Sequence, residues 1–175
     1  LVATTHGNAS TADTDRATRW LCDRILPGTP VLRGSDTPAA GERATRPNGT
    51  AGAADGPAPA SEAARGLVEL AWGRKPGTAM LLSLGATTEL AAAERLRPGT
   101  LARFGSVCLM GGLTRTLVVG GRIMDELNFS VDAQATREVL ASACTGARPR
   151  IADAQDCLPL RFDGGEFLDR LGTGE

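Results

Sequence analysis

Tyrosine is absent from the 175 residues, Lys75 is the only lysine and His6 the only histidine, while Ala and Arg are abundant. That bias resembles the drift of a GC-rich bacterial genome and carries no mechanism by itself. Charge of one sign is also missing. Nineteen Lys plus Arg against twenty Asp plus Glu leave a net charge of -1, which provides no electrostatic footprint for duplex DNA, RNA or an anionic membrane surface. Long apolar runs are lacking too: those at 79–84 and 107–110 fall far short of the roughly 20 residues that cross a bilayer. A nucleic-acid or membrane partner is therefore not expected, and the chain reads as soluble and cytoplasmic. Cys22, Cys108, Cys144 and Cys157 show no CxxC spacing and sit among apolar neighbours, so they are expected to be reduced, mostly buried thiols. No His-rich or carboxylate-rich metal cluster, no GxSxG elbow and no GxxxxGK[ST] phosphate loop occurs.

What is present is the composition of a folding chain. Apolar residues make up 42% and charged residues 22%, close to the globular average, which argues against wholesale disorder. The length fits a single domain over 1–175. Glycine (22) and proline (10) exceed their usual share, and much of the excess lies in 37–59. Bulky residues are too sparse there to offset the entropy of ordering, so a flexible Ala/Gly/Pro-rich loop is predicted. Three sequons, at Asn8, Asn48 and Asn128, are read as chance. The chain opens on Leu1 and is at once strand-like, as if it began inside a fold.

The remaining pattern alternates strand with helix, the signature of an α/β domain with a mainly parallel sheet. Leu1-Val2-Ala3-Thr4-Thr5 is the first strand. Ser10 or Thr11 caps a helix over 12–26 whose Ala17, Trp20, Leu21 and Ile25 are predicted to form its buried face. A short extended piece follows at 29–32, then, beyond the loop, a helix capped by Ser61 with Ala64, Leu67, Val68 and Ala71 inward. The apolar run at 79–84 reads as a central strand buried on both faces. A short helix over Leu90, Ala93 and Leu96, a strand at 106–110 and a loop or short hairpin arm over 114–119 come next. Asp132 caps a helix over 133–143, Ile151-Ala152 is a short strand, and Asp163 and Glu166 have capping-box spacing.

Ligands of open α/β sheets bind beyond the carboxyl ends of the strands. Three glycine-bearing turns lie there: Thr5-His6-Gly7-Asn8, Leu84-Gly85-Ala86-Thr87-Thr88 and Met110-Gly111-Gly112. Each alone is equally the ordinary way to leave a strand. Sharper is Asp125-Glu126-Leu127-Asn128-Phe129-Ser130-Val131-Asp132. If extended, it turns Glu126 and Asn128 the same way, where a carboxylate and an amide accept from and donate to vicinal hydroxyls. A solvated polar face is the bland alternative.

Taken in order, these segments, with Pro30-Val31-Leu32-Arg33-Gly34 and Glu89-Leu90-Ala91 between them, resemble the inosine-uridine preferring nucleoside hydrolase family over nearly the whole chain. The resemblance implies a doubly wound α/β fold, with helices on both faces of a mainly parallel sheet, that hydrolyses the N-glycosidic bond of ribonucleosides. It implies calcium, held by an aspartate cluster and one strand-end carbonyl and positioning the attacking water. Carried over residue by residue, the metal-binding carbonyl falls on Leu109, and the ribose contacts fall on Asn8, Glu126 and Asn128. The departures are as informative. The family's DxDxxxDD motif and its later His-Asp pair have no counterpart, so no catalytic residue is assigned and weak or no calcium binding is expected of this chain. Residues 113–124 lack the family's Asn after Met-Gly-Gly. Glu89 stands where Asn usually follows the turn Thr, and is expected to disturb that turn. The chain is thus expected to be an incomplete, interior portion of the fold with an exposed sheet edge, and homo-oligomerisation stays open. The alternative is a degenerate, non-catalytic homologue that binds a sugar, a nucleoside or a partner.

Overall fold

A computed structural model describes residues 1–36, 60–143, 149–160 and 163–170; the predicted loop at 37–59 and Cys144 lie outside the described residues. Strand β1 (Val2–Ala3) is followed by helix α1 (Thr11–Ile25), whose N-cap Ser10 accepts from the Asp13 amide at 3.2 Å. Strand β2 (Val31–Leu32) pairs parallel with β1. Helix α2 (Glu62–Trp72) starts at the predicted cap, Ser61, and leads into β3 (Met80–Ser83). Helix α3 (Thr88–Leu96), a 3-10 turn (Leu101–Arg103) and β4 (Ser106–Met110) follow. Strands β5 (Leu117–Val119) and β6 (Arg122–Met124) form an antiparallel hairpin over Gly120 and Gly121. A single turn, α4 (Leu127–Ser130), precedes α5 (Ala133–Ala143); β7 (Arg150–Ala152), α6 (Ala154–Cys157) and α7 (Gly164–Arg170) complete the order. The sheets are β1-β2, the parallel β3-β4-β7 and the hairpin β5-β6, an α/β arrangement with mainly parallel strands.

The core lies between β3-β4 and the helices α2, α3 and α5. Leu67, Leu81, Leu90, Leu101, Phe104, Val107, Leu109 and Val139 are all buried within it. Each large side chain there contributes about 1.5–3 kcal/mol by leaving water. Small residues let the helices approach: Ala63, Ala64, Ala91, Ala93 and Ala135 are fully buried. Polar bonds then fix the packing of α3 against α5. Asp132 is 1% exposed, and its carboxylate accepts from the Thr88 hydroxyl at 2.8 Å and the Ala135 amide at 3.0 Å. Thr87 and Thr136 share a further hydroxyl bond at 3.0 Å. Asp132→Ala removes a helix cap and strands the buried Thr88 hydroxyl, so chemical denaturation should show a loss of about 2 kcal/mol. Asp132→Asn should recover more than half of it.

Two sequence expectations are corrected. The strand at 79–84 is not buried on both faces: Leu81 and Ser83 are 8% exposed, whereas Met80, Leu82 and Leu84 are 69%, 60% and 68% exposed. A continuous apolar run conceals this alternation, because packing helices supply cover on one side only while the side chains point both ways. In α1 the inward face is also not the one predicted. Thr11 and Cys22 are buried, while Ala17, Trp20 and Ile25 are exposed. The Thr11 hydroxyl donates to the Ser35 carbonyl at 2.7 Å, and this anchors the polar edge of the helix inward. Trp20 is instead partly covered by the Arg24 guanidinium, 4.0 Å from its ring centroid. Cys22 is buried as expected, and Cys108 and Cys157 are half-buried.

Candidate active-site rim

The carboxyl ends of β3 and β4 are drawn together by one side chain. Asn128 donates through Nδ2 to the Leu84 carbonyl at 3.3 Å and to the Met110 carbonyl at 3.1 Å, with the Met110 sulfur also within reach. Asn128 itself is placed by Glu126. The segment is not extended, as its period-two reading requires: it turns into α4, and Glu126 is the N-cap. The Glu126 carboxylate accepts from the amides of Asn128 at 2.6 Å, Phe129 at 2.9 Å and Gly112 at 2.9 Å. Three amide donors suit an anion at a helical N-terminus. Glu126 is only 7% exposed, so these bonds are made with little competition from water.

Met110-Gly111-Gly112 now has a physical reason. A Cβ at Gly111 would sit 2.3 Å from the Phe129 ring, and Gly112 holds φ at +82°, a left-handed conformation that favours glycine. The close seat for Phe129 requires the first glycine, and aiming an amide at Glu126 requires the second. Past this turn, Gln155 accepts from the Thr114 amide at 3.1 Å and donates to the Arg115 carbonyl at 2.8 Å, tethering the chain that enters the hairpin. Asp153 caps α6 beside it. The Thr114 hydroxyl and the Asp156 amide hold its carboxyl below the usual carboxylate range.

Of the predicted site residues, Glu126 and Asn128 meet directly. Leu109 is 2% exposed, one residue before the end of β4, with Met110 as the residue whose carbonyl binds Asn128. Asn8 is exposed in the turn after β1. Its neighbour Gly7 lies at van der Waals distance from Leu127, a Cβ there falling 3.8 Å from the Leu127 side chain. The β1 turn therefore borders α4 at the same rim, although Asn8 shares no hydrogen bond with Glu126 or Asn128 among the described residues.

Sequence reasoning singled out Glu89 but missed what its carboxylate does. Glu89 is 2% exposed in the first turn of α3. Its Oε1 accepts from the amide and the hydroxyl of Ser35, both at 2.7 Å, and its Oε2 accepts from the Ser61 hydroxyl. Rather than disturbing the turn, Glu89 joins three elements: the exit of β2, the cap of α2 and the start of α3. The signal for it, an acid one residue after Thr88 in a helix's first turn, was in the sequence; its partners, 28 and 54 residues away, were not.

The inosine-uridine preferring nucleoside hydrolase model matches residues 1–160. The chain belongs to that family. The fold agrees: a plant nucleoside hydrolase, the PpNRh1 enzyme, superposes with a TM-score of 0.69 at 20% identity over 95% of this chain. That match covers 55% of the plant enzyme, so this chain spans about half the length of the nucleoside hydrolase it matches. No curated protein matches the chain.

Proposed function

We propose that this nucleoside hydrolase segment contributes the ribose-facing rim of an enzyme that hydrolyses the N-glycosidic bond of ribonucleosides. The observation that carries the reading is the Glu126-Asn128 clip across the ends of β3 and β4, at the place where open α/β sheets bind ligands. Asn8, Glu126 and Asn128 would bond the ribose hydroxyls there. The Asn128 side-chain oxygen makes no hydrogen bond among the described residues, which leaves it an acceptor for a hydroxyl. Strengthening of such bonds as the sugar gains oxocarbenium character is how residues of this kind lower a barrier.

Calcium is part of the family reading, and the described residues do not fit it. The ion takes about six to eight oxygens, several of them carboxylate. Here Glu126 already accepts three amides, and no group of three His, Cys, Asp or Glu gathers among the described residues. The same commitment of Glu126 to internal amides favours the second reading, a sugar-binding homologue without turnover.

Incubation of the chain with inosine and with uridine, reading reducing sugar and free base by chromatography, tests both. Hydrolysis that Asn128→Ala reduces at least about 30-fold, roughly 2 kcal/mol in transition-state terms, supports the enzyme reading. Saturable ribonucleoside binding without base release supports the second. No binding and no release with either nucleoside overturns the ribose rim in this chain.

A further inference from the structure

At the opposite end of the strands, a tryptophan sits between two arginines. The guanidinium carbons of Arg97 and Arg103 lie 3.4 Å and 4.2 Å from the centroid of the Trp72 ring. Two guanidinium groups at those distances cannot share one face of an indole without overlapping, so the ring is covered on both sides. Its Nε1 donates to the Thr100 hydroxyl at 3.1 Å, which fixes the ring in its own plane.

The two arginines are not equivalent. Arg103 is spent on structure: Nε donates to the Ala71 carbonyl at 2.7 Å and Nη2 to the Arg74 carbonyl at 3.0 Å, satisfying the end of α2. Arg97 is exposed, and its guanidinium makes no hydrogen bond or ion pair among the described residues. Stacking therefore holds a planar fork of N–H donors still while leaving it unused. Arg74 and Lys75 follow directly on α2 and are exposed as well, also without an ion pair among the described residues. The neighbouring acid, Glu94, is turned away, its carboxylate accepting from the amides of Gly99 and Leu101. Two positive charges thus flank one ordered aromatic ring, with no counter-ion paired to either among the described residues.

We infer that the Arg97 face of the Trp72 stack is a docking site for a free phosphoryl oxyanion. An oxyanion in the plane of the Arg97 fork would accept two parallel bonds, the geometry that guanidinium groups recognise. A doubly charged anion is preferred over a carboxylate because it also offsets the repulsion between the two stacked cations. The site is separate from the ribose rim, lying where the chain enters β3 and β4: the Gly77 amide donates to the Arg103 carbonyl, and the Gly105 amide to the Ala79 carbonyl.

The test uses the chain with Trp20→Phe, which leaves Trp72 as the sole indole. Titration with inorganic pyrophosphate should change its fluorescence saturably, with half-saturation below about 1 mM at low ionic strength. Arg97→Gln should weaken that midpoint at least about tenfold. Arg97→Lys, which keeps the charge but lacks the fork, should weaken it several-fold. Acetate and sodium chloride at matched ionic strength should give no saturable response. A linear response, or the same midpoint in Arg97→Gln and the parent, overturns the site. Should Arg97→Gln lose the circular dichroism of the parent, Arg97→Lys decides: an unchanged midpoint there overturns the bidentate contact.

Discussion

Glu89→Ala should cost about 3 kcal/mol of stability, read as a fall in thermal midpoint of roughly 6–12 °C for a chain of this size. The Glu89 carboxylate accepts from an amide and two hydroxyls while 2% exposed. Truncation removes the acceptor that the half-buried Ser35 amide and hydroxyl share, and loss of such bonds to a carboxylate costs about 1–3 kcal/mol. It also frees the Ser61 side chain, whose oxygen caps α2 through the Ala64 amide at 3.0 Å. Relief of the desolvated charge returns part of this, which keeps the total near 3 kcal/mol. Glu89→Gln should cost only about 1 kcal/mol. Its remaining oxygen serves both Ser35 donors and its amide donates to the Ser61 oxygen, since a hydroxyl can rotate to accept. Equal losses in the two variants would mean that the carboxylate's charge, not its acceptor geometry, holds the three elements together.

The contrast between Glu89 and the rest of the chain shows what a sequence can convey. Helix starts were legible because caps are local: Ser10, Ser61 and Asp132 each accept from an amide three residues on. Strand positions were legible as apolar runs, but not which face of β3 would be covered, because cover comes from helices elsewhere in the chain. The failure at Trp20 has the same origin. An amphipathic period locates an apolar stripe, whereas the bond from Thr11 to the Ser35 carbonyl decides which stripe turns inward. At the rim, the period-two spacing aligns the Glu126 and Asn128 side chains on an extended segment, whereas the segment turns and it is the Asn128 backbone amide that meets the Glu126 carboxylate. The spacing that would align them in a strand also lets an acid cap the helical turn that begins with the next residue. Met-Gly-Gly was recognisable as a pattern, yet its cause, the Phe129 ring resting on Gly111, needs two segments 18 residues apart to be seen together.

Glu126 is where stability and chemistry should separate most clearly. Glu126→Ala removes the acceptor of three amides at once, those of Gly112, Asn128 and Phe129. Loss of the cap and stranding of the Gly112 amide should cost about 2–4 kcal/mol. Hydrogen exchange should localise the damage, with faster exchange at residues 112 and 128–129 and little change in α2 or α3. Glu126→Gln is the sharper variant. Its oxygen can serve the Gly112 and Phe129 amides, while its NH2 group then faces the Asn128 amide, donor against donor. A loss of about 1 kcal/mol is expected from the mismatched contact. In an assay that shows nucleoside hydrolysis, Glu126→Gln should lower kcat/KM by a further 2–4 kcal/mol in transition-state terms, far beyond its effect on folding. The carboxylate's negative charge favours a sugar that is becoming a cation, and an amide cannot supply it. If kcat/KM instead falls only in proportion to the unfolded fraction, Glu126 is a helix cap and the sugar must be recognised elsewhere.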